Sequence, residues 1–225
     1  DNEGLRTIYK RKSESTPASC IFEHIYLARP DSILSGKRIY TSRMEMGVEL
    51  AKEYPVDADL VIGVPDGGIP AGVGYSKQSG IPFGEGLIKN RYVGRTFISP
   101  DQRLRDLGAR TKYNPLPELI GGKRLVVVDD TIVRGTTTTP VLALLRKAGA
   151  KEVHLRICAP PVMHPCYFGV DFPTRRELVA TSKTVDEIRD FLGADSLGYL
   201  SHDGLLRATG MMDNGVCMAC FTGEY

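Results

Sequence analysis

The sequence predicts an α/β fold: a mostly parallel central sheet flanked by helices. Three observations carry that expectation. Two runs, DLVIGVPDGG (59–68) and RLVVVDD (124–130), each enclose an unbroken apolar stretch, as strands buried on both faces must. Helical patterns alternate with the strand-like runs, which is the signature of βαβ units. Both runs also end in turns of acids, glycines and hydroxyl residues, and open parallel sheets bind ligands at the carboxyl ends of their strands.

Residues 1–40 hold few long apolar periods and read as an N-terminal arm or linker, with CIFEHIYLARPDS (20–32) packing on a neighbouring surface. SRMEMGVELAKEY (42–54) suits an amphipathic helix stopped by Pro55. After DLVIGVPDGG, IPAGVGYSKQSG (69–80) reads as a short helix and IPFGEGLIK (81–89) as another strand. RLVVVDD is the strongest strand, VLALLRKAG (141–149) its following helix, beginning near Pro140, and EVHLRICAPP (152–161) closes the βαβ unit. The main domain is expected to occupy residues 41–175. The shorter pieces TVDEIRDFLG, LGYLS and DGLLRATG are expected to form a small C-terminal subdomain over 176–225.

Composition is ordinary for a globular protein: 42% apolar and 25% charged residues, with a formal net charge of +2. That balance gives no reason to expect a polyanion partner, and no apolar run approaches the ~20 residues of a membrane span. The basic patch near the N-terminus has no apolar stretch behind it, so no secretory signal is visible. With five cysteines and no such signal, the expected compartment is the cytoplasm, its thiols reduced or metal-bound.

VVVDDTIVRGTTTT (126–139) carries the chemistry. Adjacent carboxylates repel one another, so Asp129 and Asp130 at the strand end need a partner that is positive or rich in hydroxyl groups. They can accept hydrogen bonds from vicinal hydroxyls, or help hold a hydrated magnesium ion. Arg134, Gly135, Thr136, Thr137 and Thr138 lead into a helix whose unpaired N–H groups favour a phosphate. Gly135 lets the backbone come close, and the threonine hydroxyls add donors. A ligand with a phosphate at one end and sugar hydroxyls at the other satisfies both halves.

KNRYVGRTFISPDQRLRDLGARTKYN (89–114) sets seven Lys/Arg against two Asp. It reads as a basic lid ordered by an anionic ligand, or as a solvated loop. Its few aromatics, Tyr92, Phe97 and Tyr113, argue against a nucleic-acid surface. Among the cysteines only Cys217 and Cys220 are close in sequence. A CxxC pair suits a metal, a redox couple or a structural role. Cys20 and Cys166 stand alone, and Cys158 lies in an apolar strand as a core residue.

Taken together, VPDGGIPAGVGY, GLIKNRYVGRTFISP, VVVDDTIVRGTTT and APPVMHPCYFGVDFPT resemble the glutamine phosphoribosylpyrophosphate (PRPP) amidotransferase family, in order and spacing, from about residue 14 onward. The resemblance implies a type I phosphoribosyltransferase fold and transfer of ammonia to C1 of PRPP, giving 5-phosphoribosylamine in purine synthesis. It implies that Asp129 and Asp130 meet the ribose and magnesium, that Thr131 helps bind the substrate, and that residues 134–138 hold the 5-phosphate. Pro65, Asp66, Gly67 and Gly68 would form the pyrophosphate loop, and Lys89, Arg91 and Tyr92 would lie near the reacting centre. Gly67 departs from the family, which commonly has serine there, so only a backbone contact to the metal or pyrophosphate remains. One branch of the family binds a [4Fe–4S] cluster, whose ligands match Cys20, Cys166, Cys217 and Cys220; zinc is the alternative metal. The resemblance further implies inhibition by purine nucleotides and a homo-oligomer. It also implies a glutaminase domain or chain, which this sequence, opening on Asp1, lacks. A salvage phosphoribosyltransferase and a non-catalytic PRPP sensor are the other readings; the KNRYVGRTF stretch and the lack of a DNA-recognition helix count against them.

Overall fold

The computed structural model describes residues 18–90, 92, 112–172, 174–211 and 215–225. Its centre is a four-stranded parallel sheet of β4 (Leu60–Gly63), β7 (Arg124–Asp129), β8 (Glu152–Ile157) and β9 (Ser196–Tyr199), in that spatial order. Strand side chains alternate between faces, which explains the unbroken valine run. Leu125 and Val127 enter one core, and Val126 and Val128 enter the other.

The first core packs the sheet against α4 (Thr138–Lys147) and α5 (Val185–Leu192), through Val141, Leu142, Leu145, Ile188 and Leu192. The second packs it against α1 (Ile39–Glu53), α2 (Gly68–Ser79) and α6 (His202–Thr209), through Met46, Leu50, Ala71, Tyr75 and Leu205. The helices α1 and α2 touch backbone to backbone. A Cβ on Gly47 would stand 1.8 Å from the Ala71 carbonyl oxygen, and one on Gly74 would stand 1.8 Å from that of Met44. Nothing larger than glycine fits there.

Residues past 175 are not set apart from the sheet. β9 is its fourth strand, and α5, started by a capping box between Thr184 and Glu187, lies in the first core. The expected division at 175 therefore falls on no break in packing.

The IPFGEGLIK stretch is strand in part: Phe83 forms an isolated parallel bridge to Val61 of β4, and only the last three residues of the stretch make a named strand. β5 (Leu87–Lys89) pairs antiparallel with β6 (Tyr113–Pro115) in a separate two-stranded ribbon. The basic stretch 89–114 is thus strand at both ends, and residues 93–111 lie outside the described residues.

Of the N-terminal arm, Ile21, Phe22 and Ile25 are buried in the second core as expected of a packed segment. Its short strand β1 (Ser19–Cys20) pairs in parallel with β10 (Val216–Cys217) near the other end of the chain. A hairpin of β2 (Ile33–Leu34) and β3 (Lys37–Arg38) leads into α1. Short helices α3 (Pro117–Ile120) and α7 (Ala219–Thr222) complete the elements named here.

Candidate active site at the carboxyl edge of the sheet

The two turns singled out in the sequence meet. β4 and β7 are adjacent, so the turn after each emerges at the same edge, and the Val64 N–H donates to the Val128 carbonyl at 2.8 Å. Gly68 opens α2 directly against the end of β7, where a Cβ would lie 2.2 Å from the Val128 carbonyl oxygen. Gly67 faces the acid pair itself, and a Cβ there would lie 2.1 Å from Asp130 Oδ2. The carboxylate of Asp130 occupies the space that a side chain at 67 would need.

Asp129 Oδ1 accepts the Asp130 N–H at 2.9 Å, and the Thr131 hydroxyl donates to Asp130 Oδ1 at 3.0 Å. Burial pushes the Asp130 carboxyl up to about 6, although Thr131, Arg43 and Lys112 pull it down. Burial and the neighbouring Asp130 raise Asp129 well above the ordinary carboxylate range. Such a pair is short of positive charge, and a cation or a set of hydroxyl donors would restore its ionised form.

Three further side chains frame this edge. Arg43, buried on α1, donates to the carbonyls of His24 (3.0 Å) and Ala28 (2.9 Å), and its charge favours ionised Asp130. The signal for it is in the sequence: Arg43, Met46, Gly47 and Leu50 follow the i, i+3, i+4, i+7 stripe, which puts the arginine on the buried face of its helix. Tyr113 donates its hydroxyl to the Pro65 carbonyl at 3.2 Å, and Lys112 lies 5.3 Å from the centre of the Tyr113 ring. Burial raises the Tyr113 hydroxyl well above its ordinary value, with Asp129, Asp130 and Asp66 adding to the effect.

The other expected residues are placed as follows. Lys89, at the end of β5, forms an ion pair with Asp66 of the pyrophosphate-loop candidate. Tyr92 is 99% exposed, and its N–H donates to Asn90 Oδ1 at 3.0 Å. Arg91 lies outside the described residues. Gly135 takes φ +77, a left-handed conformation that favours glycine, and its carbonyl accepts from the Thr139 N–H and hydroxyl, each at 3.1 Å. Arg134, Thr136 and Thr137 belong to the same turn, but Thr138 is already the first residue of α4 and is buried.

Four of the cysteines gather around the arm-and-tail pairing. Cys20 and Cys217 are register partners in the β1–β10 pair, and the N–H groups of Met163 and His164 both donate to the Cys220 carbonyl at 3.0 Å. Cys166 follows two residues later, its sulfur accepting the Phe168 N–H at 3.4 Å. Burial pushes the Cys220 thiol up to about 12, with Cys20, Cys166 and Cys217 each adding to the rise. The Cys20 thiol is likewise raised, by burial first and then by Cys217 and Cys166. Among the described residues, no three His, Cys, Asp or Glu side chains form a group that could hold a metal ion. Cys158 is buried in the second core, as its apolar setting predicts.

Comparison with known proteins agrees with this architecture. Proteins called amidophosphoribosyltransferase from Mycobacterium tuberculosis (strain ATCC 25618 / H37Rv) and Synechocystis sp. are 50% and 55% identical, over 230 and 206 residues. These matches take in 100% and 92% of this chain but only 43% and 42% of the relatives. The chain therefore spans less than half the length of the curated relatives it matches. The solved glutamine PRPP amidotransferase from B. subtilis, complexed with ADP and GMP, superposes with a TM-score of 0.87 at 48% identity, covering 96% of this chain and 49% of that one. The phosphoribosyl transferase domain model matches residues 31–161, a stretch holding both turns, the acid pair and the β5–β6 ribbon, and so the chain belongs to the phosphoribosyl transferase domain family.

Proposed function

We propose that this chain transfers the phosphoribosyl group of PRPP to ammonia, releasing pyrophosphate and forming 5-phosphoribosylamine. The observation that carries this reading is the meeting of the 65–68 turn, the acid pair and the 134–138 turn at one sheet edge. PRPP has three parts to hold, a pyrophosphate, a ribose and a 5-phosphate, and three adjoining features would receive them.

The chain's own groups would act mainly by binding and orienting. Asp129 and Asp130 would accept the ribose hydroxyls, with Thr131 fixing the Asp130 carboxylate. The N–H groups of Gly67 and Gly68 would donate to the pyrophosphate, and the turn from Arg134 to Thr137, with the first turn of α4, would hold the 5-phosphate. Departure of pyrophosphate leaves positive charge on C1, which the two carboxylates would oppose. Neutral ammonia attacking C1 needs no base to activate it, and none is nominated.

An all-oxygen donor set such as this acid pair suits magnesium, which would supply charge neutralisation for the leaving pyrophosphate when bound. Lys89 would exchange Asp66 for the pyrophosphate, with Arg91 and Tyr92 contributing from the basic stretch that follows. Cys20, Cys166, Cys217 and Cys220 offer only sulfur donors, a set suited to a [4Fe–4S] cluster, with zinc as the alternative. The cluster would fasten the arm and tail to the sheet and take no part in the transfer. We further infer a cytoplasmic homo-oligomer, inhibited by purine nucleotides and supplied with ammonia by a glutaminase domain or chain. Among the described residues no helix is long and apolar enough to cross a membrane.

The test is an assay with PRPP, magnesium and an ammonium salt, following pyrophosphate and phosphoribosylamine together. Both products should appear in equal amounts and vanish in Asp129→Asn. Pyrophosphate released only when a free purine or pyrimidine base is added would replace this reading with salvage. Binding of PRPP without turnover would replace it with a sensor.

A further inference from the structure

Three contacts join the 5-phosphate turn to a segment that the sequence reading separates from it. Arg134 Nη2 lies 2.8 Å from Glu177 Oε2, with both side chains about half-exposed. The Val179 N–H donates to the Val133 carbonyl at 3.0 Å. Gly135 backs onto α5, where a Cβ would lie 3.1 Å from Phe191 and 3.3 Å from Leu192.

The supporting segment is itself held in place. Glu177 closes the short helical turn Arg175–Glu177, and its second oxygen accepts the Thr174 hydroxyl at 3.4 Å. The next residue, Leu178, is fully buried, and the Thr181 hydroxyl donates to the carbonyls of Arg175 (2.9 Å) and Leu178 (2.8 Å). Two of the three contacts act on the backbone of the turn. Only Glu177 acts on a charged side chain.

An exposed ion pair of this kind adds little to stability, on the order of 0–1 kcal/mol, so its consequence is geometric. A guanidinium carries five N–H donors. The carboxylate engages it at Nη2, which restrains the fork while leaving donors for an anion. An arginine already oriented loses less side-chain freedom when a phosphate arrives.

We propose that Glu177 is a positioning residue for the 5-phosphate: it holds Arg134 ready for that group and touches no substrate itself. This rests on the PRPP reading above. It predicts a selective defect, confined to ligands that carry the 5-phosphate.

The test uses calorimetry with ribose 5-phosphate and, separately, magnesium pyrophosphate, alongside steady-state assays with PRPP. Glu177→Gln should weaken ribose 5-phosphate binding and raise KM for PRPP about tenfold, with kcat within twofold. Magnesium pyrophosphate affinity and melting temperature should stay at wild-type values, and Glu177→Asp should recover part of the loss. In an Arg134→Met background, Glu177→Gln should add nothing further, because the two act as one unit. Unchanged or tighter ribose 5-phosphate binding in Glu177→Gln, with wild type binding normally, overturns the proposal and leaves the transferase reading standing. A wild-type protein that binds neither ribose 5-phosphate nor PRPP overturns both.

Discussion

Gly68→Ala places one methyl group where the two substrate turns touch. The added Cβ would stand 2.2 Å from the Val128 carbonyl oxygen, 3.1 Å from its carbon and 3.2 Å from Asp129 Cα, all backbone atoms. Ordinary contact begins near 3.4 Å, so the start of α2 must withdraw from β7 by about 1 Å, since a backbone cannot swing aside as a side chain can. Overpacking of this kind costs about 1–3 kcal/mol, and a displacement of about 1 Å within a reaction site costs on the order of a hundredfold in rate. Gly67→Ala is the matched control. The three atoms nearest its Cβ all belong to the Asp130 side chain, Oδ2 first, and that side chain can rotate away. Stability should then change by about 0.5 kcal/mol or less, while PRPP affinity falls about tenfold as the carboxylate leaves its place. Urea unfolding and calorimetry with magnesium and PRPP measure the two quantities. If Gly68→Ala keeps parental stability and affinity, or Gly67→Ala binds PRPP unchanged, the argument from backbone contact is wrong.

Gly135→Ala should lower stability by about 1–2 kcal/mol, from the left-handed conformation at φ +77 and the tight approach to Phe191, and should weaken ribose 5-phosphate binding; unfolding curves and calorimetry check both. Asp59 bonds to Arg124, which holds its carboxyl at about 2, below its ordinary 3.8. A depressed acid stabilises the fold above the unfolded-state value and loses that contribution as pH falls through the folded one. The stability gap between wild type and Asp59→Asn should therefore be full at pH 7 and close between about pH 4 and pH 2; a gap that stays constant over that window contradicts it. Cys217→Ser should abolish the broad visible absorbance and the iron content expected of a cluster-bearing preparation, while a colourless, zinc-containing wild type would exclude the cluster.

The acid pair and its turns were legible because their chemistry is local: two carboxylates and a glycine–threonine tract cannot continue a buried strand. The sequence pattern puts the start of α4 near Pro140, whereas the helix begins at Thr138. A proline within the first helical turn lacks an N–H that would have no intrahelical partner anyway, so it marks the region and not the boundary. β6 was hidden inside the basic stretch because its partner β5 lies more than twenty residues away and Tyr113–Pro115 carries no apolar alternation. The Arg134–Glu177 contact was illegible for the same reason, distance along the chain. Arg43 was readable from its helical stripe, but a charged residue on an apolar face is easily taken for a solvated one.

The β1–β10 pairing joins residues almost two hundred positions apart, Cys20 to Cys217. Closing so long a loop costs about 2 kcal/mol more than closing one of twenty residues, and it cannot happen during synthesis until β10 has been made, after every strand of the main sheet. Until then the strand that fastens Ile21, Phe22 and Ile25 over the second core has no mate. The chain thus behaves as a clasped band whose buckle is made after the sheet it encloses, and a translation stall between β9 and β10 would leave the main sheet complete and the clasp undone.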